Sequence, residues 1–593
     1  MSDDNPIADF EELEAQYARQ QDELRADQAL RLADLAAQVP ADDARHDEFR
    51  RKEIHYVRTA VNQWLLSARA VSERKQTIEA CLRLAHHPCA DVAQYARAIR
   101  CACEQYNAMA DIAESIGLAT RAIDLVRAHA PLAPVLAGGT AADSLDPADR
   151  DAAIALGGLY MARAFAHRRN GDLAGACADL DSGVALLHDA SSEPTRTMLT
   201  LLLTQVAQNL KLLGRFSESR EAFEHALQVT PESNAIGRSL ITAGLGTLLG
   251  VMGDPDSSRV LRESLALRRD TPTPVGTEMP VANSLVRLGN DSILWSRFAE
   301  ALDYFNQAIA IQERRNDMRA AAIPSLSVAG AAAYLGLPNH RQLARRAAEL
   351  ARQQDDPWLR RTADLLHGEP IDDEVIEAAR RDLATASAPQ GLIGLSLMVL
   401  SGRAMRAGDL ARAKRVLGMA ARPLTEFDAS WLDAGEWAID DGRRMLLAGE
   451  DCTARVRMAR RKLDRSPAWR ALALGLEARS LIAAIGRDYD GRSDEELVAA
   501  ARECLAQMES ALAERQAEED LRRSVFVAEA TRVREVIDEA ASALEQDRTP
   551  RLYFGHAWLE FDAEALRRMG SQLSDDARRA LERSNPEVSA WLV

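Results

Sequence analysis

The sequence of 593 residues is poor in aromatic residues, in lysine and in cysteine. Aromatic residues make up 5% of it, and nearly all of its positive charge is arginine, because lysine occurs only at positions 52, 75, 211, 414 and 462. The formal net charge is −17 at pH 7. Affinity for phosphate comes from Lys and Arg, so this balance argues against a general binder of nucleic acid or of anionic membranes.

Signals for secretion or membrane insertion are also missing. The seven cysteines are too sparse and too irregularly spaced for a disulfide framework in a chain of this length. The N-terminal sequence MSDDNPIADFEELE is acidic and has no apolar stretch typical of a signal peptide. The most apolar run, residues 391–402, is much shorter than the roughly 20 residues that span a bilayer. These features predict a cytoplasmic protein without a membrane partner.

Motifs of common catalytic and cofactor sites do not occur either. There is no G-x-x-x-x-G-K-S/T phosphate loop, no H-E-x-x-H zinc motif and no G-x-S-x-G nucleophile motif. The glycine-rich stretch GLGTLLGVMG, residues 244–253, has no preceding strand pattern, and its glycines suit contacts between helices. We therefore expect a non-catalytic protein without a cofactor.

One cluster of soft metal ligands occurs near the N-terminus. It comprises Cys81, His86, His87, Cys89, Cys101 and Cys103. Cys101 and Cys103 point about 200° apart on a helix, so both cannot easily face one metal ion. Buried free cysteines are therefore the expected outcome rather than a zinc site, although the spacing alone does not exclude a catalytic Cys–His pair.

The three-and-four spacing of apolar residues that is typical of helices recurs along the chain, whereas alternating strand patterns are almost absent. In LKLLGRFSESREAFEHALQVTPES, residues 210–233, Phe223 and Ala226 fall on one helix face that Pro231 ends. Gly214 makes the turn from the preceding helix, because glycine tolerates the left-handed conformation found at helix C-termini. This stretch predicts a helix–turn–helix unit.

The same turn recurs at nearly constant spacing. Predicted turns lie at Gly171, Gly214, Gly253, Ser296 and Gly336, which are 43, 39, 43 and 40 residues apart, and at Gly408 and Gly449, 41 residues apart. A fixed period of helical hairpins is the signature of a solenoid, in which each hairpin buries its apolar face against its neighbours. The units resemble tetratricopeptide repeats, especially the longer units of about 40 residues of the kinesin-light-chain and MalT type. The best matches are Ala207, Gly214, Phe216, Phe223, Ala226 and Pro231, followed by Gly289, Phe298, Ala301, Phe305 and Ala308.

This resemblance implies an all-α fold, a right-handed α-solenoid of antiparallel helical hairpins with helical caps at both ends. We expect six segments along the chain. They are an N-terminal charged helix (1–40, with the helix itself over 6–38), N-terminal hairpins (41–130), a loop or linker (131–150), the repeat array (151–465), C-terminal hairpins (466–548) and an aromatic cap or docking tail (549–593).

In the tetratricopeptide family the first helix of each unit lines the concave wall. The wall-facing positions correspond here to Met161, Phe165, Arg168, Thr204, Gln208, Lys211, Ala243, Thr247, Asn283, Val286, Asn290, Met398 and Met405. Amides pair with the backbone of an extended peptide, and methionines adapt to irregular apolar side chains. The resemblance therefore implies a protein or peptide partner bound in the groove.

Three functions follow as alternatives. The preferred one is a regulatory scaffold that binds its partner in the groove and controls an effector in trans. The second is a ligand- or peptide-sensing module of a bacterial signalling or transcription-regulatory system, and the third is an enzyme with a site in the terminal regions. A chaperone-tail adaptor is disfavoured, because Met161, Thr204, Ala243 and Val286 stand where a carboxylate clamp has lysine.

Overall fold

The computed structural model is helical, without strands, throughout the part of the chain that it describes. The described residues are 6–19, 26–67, 71–109, 111–270, 279–315, 317–335, 337–353, 359–362, 373–383, 390–425, 430–486, 490–513, 525–546, 568, 571 and 572. The chain divides into two compact units, Met1–Gly237 and Arg238–Val593.

The first unit is a series of helices in which most consecutive helices pack against each other. Its helices are α1 (Pro6–Arg19), α2 (Ala26–Ala37), α3 (His46–Ser67), α4 (Val71–Ala85), α5 (Val92–Ala108), α6 (Ile112–Arg127), α7 (Ala133–Leu136), α8 (Pro147–Arg169), α9 (Leu173–Leu186), α10 (Glu193–Leu212) and α11 (Phe216–Val229). Helices α5, α8 and α10 lie side by side as the first helices of consecutive hairpins. Their partners α6, α9 and α11 pack against them as a second layer.

The second unit continues the pattern. Its helices are α12 (Ala235–Met252), α13 (Ser257–Asp270), α14 (Met279–Leu294), α15 (Phe298–Arg314), α16 (Met318–Tyr334), α17 (His340–Arg352), α18 (Asp373–Leu383), α19 (Gln390–Arg406), α20 (Leu410–Thr425), α21 (Trp431–Leu447), α22 (Thr453–Leu463), α23 (Pro467–Ala483), α24 (Asp494–Ala513) and α25 (Val525–Glu545). Each unit is therefore an α-solenoid of antiparallel hairpins, as predicted from the sequence.

The turns inside the hairpins adopt the left-handed backbone that their sequences predict. The angle φ is 80° at Gly171, 71° at Gly214, 74° at Gly253, 72° at Gly408 and 69° at Gly449. Ser296 adopts φ 60° without being glycine. The turn predictions at these six positions are confirmed, and Gly336 lies outside the described residues.

Gly214→Ala is expected to lower the free energy of unfolding by about 1–2 kcal/mol, because an L side chain is strained at the φ of 71° found there. Gly418→Ala is the matched control. Gly418 lies inside helix α20, and an added Cβ would meet no heavy atom within 4 Å. That substitution should raise stability by roughly 0.5–1 kcal/mol through the lower entropy of the unfolded chain. Urea denaturation of both variants is the measurement, and equal effects would contradict the turn assignment.

The N-terminal segment differs from the single helix predicted over residues 6–38. Helices α1 and α2 pack against each other, and Phe10, Leu32 and Phe49 share one buried cluster. The rings of Phe10 and Phe49 meet edge to face with centroids 5.1 Å apart. One straight helix would separate residues 10 and 32 by about 33 Å, so burial of both apolar faces in one small core requires two helices.

The predicted loop 131–150 and the predicted tail 549–593 also contain described residues. Residues 131–150, expected to be a loop, contain the short helix α7, the 3-10 turn Ala142–Ser144 and the first residues of α8, which begins with Pro147 at a position where proline suits a helix. Most of the predicted tail 549–593 lies outside the described residues. Within it, Arg568 donates to the carbonyl of Ala407 at 3.0 Å, and Gln572 donates to that of Gly408 at 3.1 Å.

One described helix, Ala235–Met252, has the length and apolar composition that a membrane span requires. Half of its apolar window is buried inside the protein, where it forms the first helix of a hairpin. A buried core helix passes the same test, so this single helix is weak support for membrane insertion.

The second unit also contains contacts between hairpins that are distant in sequence. The indole N–H of Trp431 donates to the carbonyl of Gly250 at 3.1 Å, and that of Trp469 donates to Ile293 at 3.2 Å. The N-terminal ends of α21 and α23 therefore pack on the C-terminal ends of α12 and α14. The expectation that hairpins are buried by their neighbours alone is wrong for this unit.

Candidate functional site

A cavity of about 500 Å³ opens on the layer of first helices in the first unit. Three consecutive first helices, α5, α8 and α10, supply its walls. The lining residues are Glu104, Asn107, Ala108, Met161, Ala162, Phe165, Arg168, Arg169, Gln205 and Gln208. The volume lies in the range of sites that hold a small molecule or a few residues of a peptide.

Helix α8 contributes the apolar wall. Met161, Phe165 and Arg168 follow one another at spacings of four and three residues, so they form one stripe along the helix. Phe165 is 40% exposed although most large apolar side chains of the first unit are buried. The Arg168 guanidinium lies over the Phe165 ring, 4.9 Å from its centroid. This stacking holds an aromatic face and a cation together at the surface of the cavity.

Side-chain amides supply the polar wall. Gln205 and Gln208 project from α10, and Gln205 Oε1 accepts a hydrogen bond from Arg168 Nη1 at 3.2 Å. Asn107, at the end of α5, is only 1% exposed, and neither atom of its side-chain amide has a hydrogen-bond partner among the described residues. A buried amide without a hydrogen-bond partner is costly, and Asn107 is one of the residues that line the cavity.

Burial shifts the pKa of two of the three charged residues that line the cavity, Arg168 and Glu104. The walls desolvate the Arg168 guanidinium and lower its pKa. Burial raises the pKa of Glu104, an effect that the charge of Arg100 opposes across 3.6 Å from Nε to Oε1. The Glu104 side chain is 44% exposed, so the cavity walls remove only part of its hydration.

The structure places four of the residues transferred from the tetratricopeptide pattern in this lining: Met161, Phe165, Arg168 and Gln208. Lys211 is half-buried one turn further along α10. Thr204 is 1% exposed, and its hydroxyl donates to the carbonyl of Thr200 at 2.7 Å. Its predicted position on the open wall is wrong, because it lies on the face of α10 that packs inside the unit.

Six lining residues are not among the predicted wall positions, and two of them, Asn107 and Gln205, supply amides to the polar wall. Asn107 had a readable signal, since it follows Ile99 and Cys103 at spacings of four on the buried face of α5. A polar side chain on a buried helix face needs a hydrogen-bond partner. Gln205 had no comparable signal, because surface glutamines are common on helices.

In the second unit, the predicted wall residues Asn283 and Asn290 are exposed on α14, and Thr247 is half-buried on α12. Between the two asparagines lies Arg287, which the sequence analysis missed. Arg287 Nη1 donates to Thr247 Oγ1 at 2.9 Å, and burial lowers its pKa. An arginine thus joins neighbouring first helices here, as Arg168 does in the first unit.

The predicted wall positions on α19 are incorrect. Met398 and Met405 are 7% and 6% exposed, and both belong to the buried core. Leu395 and Val399 are exposed instead, at 38% and 46%. Each helical residue turns the side chain by about 100°, so an error of one position moves a residue from the wall into the core.

The cysteine and histidine cluster does not converge on one point. His87 Nε2 lies 3.1 Å from Glu53 Oε2, and Cys103 Sγ lies 3.5 Å from the carbonyl of Ser115. Burial raises the pKa of the Cys103 thiol to about 12 and that of Cys81 further. Thiols with raised pKa are poor ligands and nucleophiles at neutral pH. In the part of the chain that the structure describes, no three His, Cys, Asp or Glu residues are placed to hold a metal ion.

No family model and no curated protein matches this sequence. Several solved structures are similar in fold. BtubC (BKLC) from P. vanneervenii is 15% identical, over 42% of this chain and 91% of that one, with a TM-score of 0.33. A Rap protein complexed with Competence and Sporulation Factor is 13% identical, over 62% and 98%, with a TM-score of 0.41. The APC/C hetero-tetramer Cut9-Hcn1 is 14% identical, over 84% and 90%, with a TM-score of 0.38.

These similarities concern the arrangement of helices. The turn spacing, the left-handed turn residues and the two layers of antiparallel helices establish the architecture within this chain itself. Each of the two units is an α-solenoid of helical hairpins, the architecture that the turn spacing predicts.

Proposed function

We propose that the cavity on α5, α8 and α10 binds an extended segment of a partner protein. The observation that carries this proposal is the buried Asn107 side chain, which lines the cavity and whose amide has no hydrogen-bond partner among the described residues. A peptide backbone offers alternating N–H and C=O groups that can satisfy both atoms of such an amide.

The other lining residues support a peptide in particular. Phe165 and Met161 offer an apolar surface for side chains, while Gln205 and Gln208 offer donors and acceptors for main-chain groups. Apolar and amide groups in alternation suit a chain that presents both backbone and side chains. The protein then acts as a non-catalytic, cytoplasmic scaffold that regulates an effector supplied by a separate chain.

Site-specific photo-crosslinking tests this placement in cells. We replace Phe165 or Gln208 with p-benzoylphenylalanine in the full chain, irradiate, and identify crosslinked peptides by mass spectrometry. We expect both positions to capture the same segment of the same protein, because both side chains line one cavity.

The matched control carries the crosslinker at Glu224, which is exposed on α11 in the second helical layer. It should not capture that segment. Capture at Glu224 but not at the cavity positions would move the partner to the outer surface. Capture of a small molecule at Phe165 and Gln208, without any protein, would instead favour the sensing module.

A further inference from the structure

The cavity contains a cation, Arg168, that forms no ion pair with a carboxylate of the described residues. Arginines of the second helical layer pair with carboxylates, as Arg220 does with Glu224 at 2.9 Å and Arg262 with Glu300 at 2.8 Å. Arg168 differs from them. Its partners among the described residues are the neutral amide of Gln205 and the Phe165 ring. Burial lowers the pKa of Arg168, and no carboxylate among the described residues opposes this effect.

A desolvated guanidinium without a counter-charge is unfavourable on its own. Arginine has five N–H donors in a planar fork, and the bond to Gln205 engages one edge of it. Arg168 itself is one of the residues that line the cavity. Stacking on Phe165 fixes the plane of the fork, which reduces the entropy lost when an acceptor binds.

On this basis, which rests on the proposed function, we propose that Arg168 binds a carboxylate of the partner peptide. One cation matches one singly charged carboxylate. A doubly charged phosphate fits less well, because Glu104 lines the same cavity and the whole chain carries a net charge of −17. The second cationic lining residue, Arg169, already donates to the main-chain carbonyl of Asn107.

The amide of Asn107 then acts beside the ion pair. Asn107 lines the same cavity as Arg168, so its amide can pair with the backbone of the same peptide. The carboxylate comes either from an Asp or Glu side chain or from the C-terminus of the partner. Both sources offer the two oxygens that a guanidinium fork binds.

Affinity selection from a synthetic dodecapeptide library with free carboxyl termini tests the proposal on the full chain. Retained peptides are sequenced by mass spectrometry, resynthesised, and measured by fluorescence anisotropy. We expect at least a tenfold loss of affinity when one carboxylate is neutralised, since hydrogen bonds to charged groups are among the stronger ones. Loss on replacing one Glu or Asp by its amide assigns a side-chain source, and loss on C-terminal amidation assigns the C-terminus.

Variants of Arg168 complete the test. Arg168→Gln should weaken the parent peptide at least tenfold and bind the neutralised peptide as well as the unmodified chain does. Arg168→Lys should recover part of the loss, because it keeps the charge without the fork. Arg220→Gln, at an exposed ion pair in the second helical layer, is the matched control and should leave affinity unchanged.

Peptides whose affinity ignores both neutralisation and Arg168→Gln, but falls in Phe165→Ala, would overturn the carboxylate proposal and leave the peptide site standing. Peptides that bind Phe165→Ala and Gln208→Ala as tightly as the unmodified chain would overturn the peptide site as well. Circular dichroism should show unchanged helicity for each variant, since the altered side chains border an open cavity.

Discussion

Replacing Trp469 with alanine is expected to lower the free energy of unfolding of the second unit by about 3–5 kcal/mol, the usual cost of removing a fully buried tryptophan. Trp469 is 0% exposed. Its ring meets Phe526 edge to face at 5.1 Å and Phe298 at 5.8 Å between centroids. The three rings belong to α15, α23 and α25, so the substitution opens a cavity between hairpins that lie far apart in sequence.

Trp469→Phe should cost less than Trp469→Ala, because it removes a smaller buried volume together with the hydrogen bond. It keeps an aromatic ring but removes the donor to the carbonyl of Ile293, which also accepts from the backbone N–H of Ser296. Because that carbonyl keeps a partner, the loss of the hydrogen bond should cost only about 0.5–1.5 kcal/mol. Urea denaturation gives both values.

Val525→Ala is the matched control for this test, since Val525 precedes Phe526 on α25 but is 39% exposed. It should change stability by less than about 1 kcal/mol. In Trp469→Ala, hydrogen exchange should accelerate in α14, α15, α23 and α25 together. Acceleration confined to α23 would contradict the view that these distant hairpins share one core.

Glu529→Gln is expected to destabilise the second unit by roughly 3 kcal/mol at neutral pH, because it leaves the buried Arg479 and the half-buried Arg443 without their carboxylate. Glu529 is 3% exposed on α25. Its carboxylate lies 3.0 Å from Arg479 on α23 and 3.3 Å from Arg443 on α21. The positive charges of Arg479, Arg443 and Arg532 outweigh the opposing effect of burial and lower the pKa of Glu529 to about 2.

This lowered pKa predicts how the effect depends on pH. A carboxyl group whose pKa is depressed in the folded state stabilises the protein above its unfolded pKa of 4.5, and this contribution is lost as pH falls toward 2. The difference in unfolding free energy between the original chain and Glu529→Gln should therefore be constant from pH 7 to 5 and shrink below pH 4.5. Denaturation in urea at several pH values measures it.

Glu224→Gln is the control for Glu529→Gln. Glu224 pairs with Arg220 at 2.9 Å, but its side chain is 47% exposed. Its loss should cost less than about 0.5 kcal/mol, as is usual for exposed ion pairs. Equal effects of Glu529→Gln and Glu224→Gln would show that the three-helix ion-pair network contributes little to stability.

The hairpins and their turns could be predicted from sequence because both depend on local chemistry. Gly214 and Gly408 stand where the backbone must become left-handed, and periodic apolar residues lie on either side. Even Ser296, which is not glycine, was recognised as a turn by its position in the period. A repeated local requirement leaves a repeated local signal.

The contacts across the second unit left no such signal. Trp431 and Trp469 read as ordinary core residues of their own helices, although each indole binds a carbonyl on a distant hairpin. Aromatic residues make up only 5% of the chain, so the two tryptophans are unusual in the sequence. The spacing of apolar residues does not show which distant hairpin each tryptophan contacts. Which hairpins meet depends on the rotation between successive hairpins, because small rotations add up over many hairpins.

The candidate site was partly predictable for the same reason. Phe165, Arg168 and Gln208 line the cavity. The spacing of apolar residues along helices α8 and α10 shows which face of each helix points away from the core. On α19 the register was wrong, so Met398 and Met405 were assigned to the wall although they are buried. The helical spacing of Asn107 places it on the buried face of α5. The sequence does not show that its amide has no hydrogen-bond partner among the described residues, because that depends on how the helices pack.

Hydrogen–deuterium exchange of the full chain, with and without a peptide obtained by affinity selection, tests the central claim most directly. The account predicts slower exchange in three separate segments, residues 104–109, 161–169 and 205–212, which together surround the cavity. Protection confined to α9 and α11, or no change in any of the three segments while the peptide is bound, would contradict it.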